Sequence, residues 1–157
     1  YQNAYHYSVK YPLNWSLKES AQIVWINDSS QSALFKVNIS PNYDDKDNNV
    51  QKIREYVTAL ERFTCDANND EGPCTEIGAA TKKANGWQLE ESREVTLDGM
   101  SGVQYKYKKT NNEFSELYYI PKQGWMYEIE LTNLANTEKS YLNSILKQII
   151  GTFQFPK

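Results

Sequence analysis

Trp125-Met126-Tyr127-Glu128-Ile129-Glu130-Leu131-Thr132 alternates without a break. Trp125, Tyr127, Ile129 and Leu131 fall on one side, with Glu128, Glu130 and Thr132 on the other. A period of two marks an extended strand with one face turned to a core, so the acids and the threonine are expected to face outward. Gly124 opens this strand. Shortly after it, Tyr141, Leu142, Ile145, Leu146 and Ile149 recur at spacings that place them on one side of a helix. Asn136 or Thr137 is suited to cap that helix at its start, and Gly151 fits its stop. The strand lacks a cover and the helix lacks a floor, and each supplies the other. Phe153 and Phe155 are expected to pin the tail back onto the body.

Upstream, Asp98-Gly99 is a strong hairpin signal, because a primed turn needs positive φ and glycine adopts it without penalty. Trp87, Leu89, Val95 and Leu97 occupy odd positions of one long strand before that turn, with Glu91 and Arg93 interrupting the apolar pattern. Val103, Tyr105 and Tyr107 continue on the return strand. Asn111-Asn112 makes a second turn, followed by a strand through Leu117, Tyr119 and Ile120. The second half of the chain therefore reads as an antiparallel meander. A helix precedes it. Asn48 with Gln51 resembles a capping box, and Val50, Ile53, Val57 and Leu60 form a stripe flanked by Tyr56 and Phe63.

The N-terminal third also reads as strands. Ala33, Phe35, Val37 and Ile39 share one face of a segment stopped by Pro41, and the apolar run from Ile23 to Ile26 closes on the turn-prone Asn27-Asp28-Ser29-Ser30. Tyr5, Tyr7, Val9 and Tyr11 alternate in a half-buried strand that Pro12 ends by removing a ladder donor. Trp15 and Leu17 form a short return segment, with Trp15 folded onto the sheet.

The chain has 157 residues and a net charge of −3, which suits one domain spanning residues 1–157 with no linker. No run of 18 apolar residues occurs, so no segment reads as a membrane span. The sequence begins at Tyr1, as expected of a chain trimmed of a signal peptide or lipoprotein anchor. A membrane would be met only through such an anchor. The lysines are scattered rather than gathered on one face, which argues against a nucleic-acid partner. Lysines outnumber arginines 14 to 3, a bias that fits an AT-rich, bacterial genome.

The order of these elements, with Tyr7-Ser8-Val9-Lys10-Tyr11-Pro12-Leu13-Asn14-Trp15, resembles the PsbP-like family. Members open with an aromatic strand, then Tyr-Pro, two residues and Trp. A strand with a Val-x-Ile pattern follows, here Val37-Asn38-Ile39, and then a helix. The Gly-containing hairpin is Asp98-Gly99-Met100-Ser101-Gly102, and the last helix runs from Ile145 into a tail at Phe153. The resemblance implies an α+β fold: an α/β/α sandwich whose twisted, mainly antiparallel sheet is flanked by helices. The family is not known for catalysis. Its namesake is an extrinsic thylakoid-lumen subunit that helps photosystem II retain calcium and chloride, and the related Mog family binds the Ran GTPase. Many bacterial members look like lipoproteins. The Cys65 to Cys74 insertion departs from the family pattern.

No catalytic centre is legible. The single histidine, His6, lies opposite the aromatic stripe of its strand, and no nucleophile motif, phosphate loop, dinucleotide fingerprint or zinc pair occurs. Twenty acidic residues leave paired-carboxylate chemistry open, because their separation is not written in sequence. Cys65-Asp66-Ala67-Asn68-Asn69-Asp70-Glu71-Gly72-Pro73-Cys74 reads as a polar loop clipped by a disulfide, which favours an oxidising compartment. The alternative is a pair of free thiols in a cytosolic protein. Asp66, Asn68 and Asp70 fall at alternate positions, as in the start of a calcium loop. The pattern then fails: glycine is at the seventh position (Gly72), Ile77 holds the twelfth, and Glu76 comes one residue early. A solvated turn is the simpler reading of that loop, as it is of Asp44, Asp45 and Asp47. Three Asn-x-Ser sequons occur, at Asn14, Asn27 and Asn38. The sequence thus points to an extracytoplasmic, non-enzymatic binding or scaffold domain for a protein or cell-envelope partner, with no cofactor. The alternative is an accessory domain for a small molecule or an ion such as calcium.

Overall fold

The computed structural model describes residues 7–30, 32–41, 43, 49–66, 86–108, 113–133 and 139–155, with the backbone alone for 60–66 and 139–140. Seven strands form one sheet: β1 (Ser16–Ser20), β2 (Ile23–Asn27), β3 (Ala33–Pro41), β4 (Gln88–Leu97), β5 (Met100–Lys108), β6 (Phe114–Lys122) and β7 (Trp125–Asn133). Helix α1 spans Val50–Asp66 and α2 spans Lys139–Gly151. The strand order is β1-β2-β3-β7-β6-β5-β4, and every neighbouring pair is antiparallel. Two meanders, β1–β3 and β4–β7, are thereby joined where β7 pairs with β3, from Ala33 opposite Asn133 to Pro41 opposite Trp125.

Turn chemistry sets the hairpins. Asp98 and Gly99 both have positive φ (46° and 79°), as do Gln123 and Gly124 (52° and 79°). That backbone follows the right-handed twist of the strands it joins. Asp28 organises the β2–β3 turn differently: its carboxylate accepts from the backbone N–H of Ser30 and Ala33, the latter at 2.7 Å. Gly102 answers to packing. A Cβ there would sit 2.5 Å from the Tyr119 carbonyl oxygen and collide with the Ile120 side chain.

The sheet packs on both faces. One face joins Tyr127, Ile129 and Leu131 with Phe35, Val37 and Ile39 under Leu142, Leu146 and Ile149 of α2. The other joins Met126, Val103, Tyr105 and Tyr107 with Ile53 and Val57 of α1. The α+β class stands as expected. Its outer layers are partial, because α2 packs on β3 and β7 while α1 packs on β5.

Several details differ from the sequence expectation. Glu128 and Thr132 are buried, not outward, because β7 is an interior strand with both faces covered. Tyr141 is 66% exposed and stands outside the α2 stripe, which Ile150 completes. The odd positions of β4 do not share a face. A bulge between Leu89 and Glu91 shifts the register, so Leu89 pairs with Tyr107 on the α1 side while Val95 and Leu97 pack on the α2 side. The cap of α1 is Asn49, whose side-chain oxygen accepts from Lys52 N–H at 2.9 Å; Asn48 lies outside the described residues. The helix runs on through Asp66, so Cys65 and Asp66 belong to its last turn rather than to a loop.

The aromatic N-terminal segment is not a strand of the sheet. Ser8 and Gln154 exchange two backbone hydrogen bonds at 2.9 Å, an isolated bridge that lays this segment along the C-terminal tail. The alternation still holds, since Tyr7 and Val9 are buried. Tyr7 stacks on Phe153 at 5.0 Å, Phe155 meets Tyr127 edge-on at 4.9 Å, and Asp98 accepts from the Phe155 N–H at 2.8 Å. The tail is pinned as its phenylalanines suggested. Pro12 ends no ladder; its carbonyl accepts from Trp15 N–H at 3.0 Å and turns the chain so that the indole enters the core. With Trp15 only 7% exposed, Trp15→Ala should lower unfolding free energy by about 3–5 kcal/mol, measured by urea denaturation against the parent.

Candidate binding cleft

Helix α2 lies over β3 and β7, and the same sheet face is less covered at the Lys106–Lys108 end of β5 and at Phe114 of β6. The corner between that end of the face and the flank of α2 is a cleft of about 400 Å³, lined by Glu90, Lys106, Lys108, Phe114, Glu116, Asn143 and Lys147. Register explains the lining. Lys106 lies opposite Glu116 and Lys108 opposite Phe114 on neighbouring strands, while Asn143 and Lys147 are one turn apart on α2. Glu90 is the residue added by the β4 bulge, which delivers its carboxylate to Lys106 at 2.7 Å. Hydrogen bonding to that ammonium holds the Glu90 carboxyl below its usual range, and the same bond raises Lys106.

The deep wall is a buried polar chain. Glu116, 5% exposed, accepts from Gln104 Nε2 at 2.7 Å, from Tyr118 OH at 2.6 Å and from Lys147 Nζ. Arg93 Nε donates in turn to Gln104 Oε1. Lys147 Nζ also lies 5.9 Å from the centroid of the Tyr118 ring. Burial first, and then the Glu116 carboxylate, push the Tyr118 phenol far above its ordinary range, so it stays a donor at all physiological pH. A phenol that never ionises is a poor base. The chain holds Lys147 in place at the cleft wall. Asn143 accepts from Asn133 Nδ2 at 2.5 Å, which leaves its own amide N–H groups as donors.

A second buried acid lies on the opposite face. Glu128 is 7% exposed, and its hydrogen bonds, from Asn38 Nδ2 at 3.4 Å and Ser40 Oγ at 3.5 Å, are long. Burial raises its carboxyl above the usual value; Asn38, Lys36 and Ser40 oppose that rise and Glu130 adds to it.

Among the residues singled out from sequence, Cys65 and Asp66 lie in the last turn of α1 with their side chains outside the described set. His6, Asp44, Asp45, Asp47, Asn68, Asp70, Cys74 and Glu76 lie outside the described residues. No pairing of Cys65 with Cys74 and no calcium ligation is therefore described. Of the sequons, Asn14 sits on an exposed turn, Asn27 pairs within β2, and Asn38 is engaged with Glu128. Among the described residues no three His, Cys, Asp or Glu side chains gather as a metal site, and no helix is long and apolar enough to cross a membrane. Gln104, Glu116, Tyr118 and Lys147 were not singled out from sequence. The one available signal was Glu116 beside the apolar and aromatic run Leu117–Pro121 of β6.

No family model and no curated protein matches the sequence. Solved structures do. The solution structure of cyanobacterial PsbP (CyanoP) from Synechocystis sp. PCC 6803 superposes with a TM-score of 0.63 at 16% identity, covering 99% of this chain and 90% of that one. The chain has the PsbP-like fold. The crystal structure of LpqN, involved in cell envelope biogenesis of Mycobacterium tuberculosis, matches with a TM-score of 0.53 at 17% identity, over 96% of this chain and 83% of that one. Within the PsbP-like fold of this chain, the cleft and Glu128 occupy opposite faces of one sheet.

The Glu128 geometry has a thermodynamic consequence. A carboxyl whose folded pKa is raised binds its proton more tightly in the fold than in the unfolded chain. Its contribution to stability is full below the unfolded value, near 4.5, and is lost as pH rises through the folded value. Glu128→Gln should therefore be more stable than the parent at pH 7, with the difference shrinking towards pH 4.5, in urea denaturation followed across that range.

Proposed function

We propose that this chain is a non-enzymatic, extracytoplasmic binding or scaffold domain that holds a protein or cell-envelope partner in the cleft beside α2, with the α/β/α sandwich as its rigid frame. The cleft carries the reading. Its floor and walls combine an aromatic ring, three ammonium groups and an amide, braced from below by the buried Glu116 chain. Buried polar groups that are satisfied among themselves rigidify a surface, and rigid surfaces lose less entropy on binding. Tyr118 is ill suited to proton transfer, since burial keeps its phenol protonated.

Fold likeness and the two cysteines support the compartment. LpqN is involved in cell envelope biogenesis, and the namesake of the PsbP-like family, which the sequence resembles, is an extrinsic thylakoid-lumen subunit; the shared fold supports an accessory role outside the cytoplasm for this chain, as a bacterial lipoprotein or secreted domain. A Cys65–Cys74 disulfide belongs to this reading. The cleft volume, about 400 Å³, also fits a small molecule, which keeps a ligand-binding accessory role as the second reading.

A photocrosslinking residue in place of the exposed Ser144, which sits beside Asn143 and one turn from Lys147 on α2, should trap one defined partner in the native cell envelope, while the same residue in place of Lys18 on β1 should not. Equal crosslinking from both positions, or none from position 144, overturns the reading. For the compartment, intact mass of the exported protein should rise by about two protons on reduction, as closure of one disulfide requires.

A further inference from the structure

We infer that the cleft recognises a single carboxylate joined to an apolar group, such as the C-terminus of a partner polypeptide; this deepens the binding reading above and rests on it. Charge balance comes first. Lys106, Lys108 and Lys147 face Glu90 and Glu116, leaving one net positive charge for an occupant to neutralise. Lys106 is paired with Glu90 and Lys147 with Glu116, whereas Lys108 makes no ion pair among the described residues and stands exposed at the rim. A dianionic phosphate is a poorer match. No arginine lines the cleft to grip it in a fork, and two carboxylates would repel its second charge.

The neighbours of Lys108 define the rest of the ligand. Phe114 lies directly across the β5–β6 ladder from it, so an apolar ring adjoins the ammonium. On the facing helix, Asn143 has its side-chain oxygen occupied by Asn133 and offers N–H donors, and Lys147 is held by Glu116 with its side chain still 45% exposed. Glu116 keeps its bonds from Gln104 and Tyr118 without Lys147, so Lys147 is able to share its ammonium with an incoming carboxylate and leave no buried acid bare. One anionic head bridges Lys108 and Lys147, and its apolar body rests on Phe114.

The test uses backbone amide NMR of the whole chain, titrated with acetyl-Ala-Ala-Leu-Phe bearing a free C-terminus, the same peptide amidated, 3-phenylpropionate and inorganic phosphate. The free-acid peptide should shift the signals of Lys106, Lys108, Phe114, Asn143 and Lys147. Amidation and Lys108→Ala should each weaken binding about tenfold or more, the size of a lost charge-assisted contact, and Lys18→Ala should leave it unchanged. Phenylpropionate binding as tightly as the peptide supports a free small carboxylate as the source, and tighter peptide binding supports a chain terminus. Equal binding of the amidated peptide overturns the inference, as does tighter binding of phosphate or no shift with either carboxylate up to about 10 mM. If position 144 crosslinks a partner while the carboxylates fail, this inference falls and the binding reading stands. Carboxylate binding without any crosslink from position 144 overturns the protein or envelope partner and leaves the cleft as a site for a free small carboxylate.

Discussion

The pairing of β7 with β3 on one side and β6 on the other is the constraint on which the rest depends. Each meander folds through local turns, but the α2-side core draws on both, with Val24, Phe35 and Val37 from one and Tyr127, Ile129 and Leu131 from the other. Joining them through β7 makes a sheet wide enough to take a helix on either side. It also places β7 in the interior, where every residue must find a neighbour on one face or the other. That is why Met126 and Thr132 are as buried as Tyr127 and Ile129, and why an acid at position 128 is driven into a poorly solvated site.

The two ends of the chain depend on the same join. Tyr7, Phe153 and Phe155 cluster over Tyr127, with ring centroids between 4.9 and 6.5 Å. Edge-on and stacked aromatic pairs at such distances add to the burial of their area. The Ser8–Gln154 bridge then ties the two end segments together through backbone groups, and the Asp98 side chain ties the tail to the β4–β5 turn. Sequence-distant segments thus stabilise one another through a strand that neither belongs to.

Buried polarity is distributed unevenly over the two faces. On the α2 face, Glu116 has strong donors from two strands and a helix, and the cluster braces the cleft. On the α1 face, Glu128 has only long bonds to Asn38 and Ser40. A buried charge held so loosely costs stability, whereas one saturated with hydrogen bonds gives local rigidity. The difference places the cleft, not the α1 face, as the preorganised surface.

The sequence by itself determined the strands and helices, most of the turns and the aromatic tail, because period two, period three-to-four and primed turns are local properties of the backbone. Asp98-Gly99, the Ala33–Ile39 alternation and the Leu142–Ile149 stripe were legible for that reason. Tertiary structure alone decided the rest. Burial of both faces of β7 depends on which strands flank it. The β4 bulge inverts sidedness at one residue, and the alignment of Tyr7 with the tail rather than with the sheet depends on a partner 146 positions away, at Phe153. The cleft was least legible of all. Its residues come from β4, β5, β6 and α2, each an ordinary charged or polar residue in its own segment, and only strand order and the seat of α2 bring them together. Local periodicity encodes which side a residue faces; what stands opposite it is set by pairing across the whole chain.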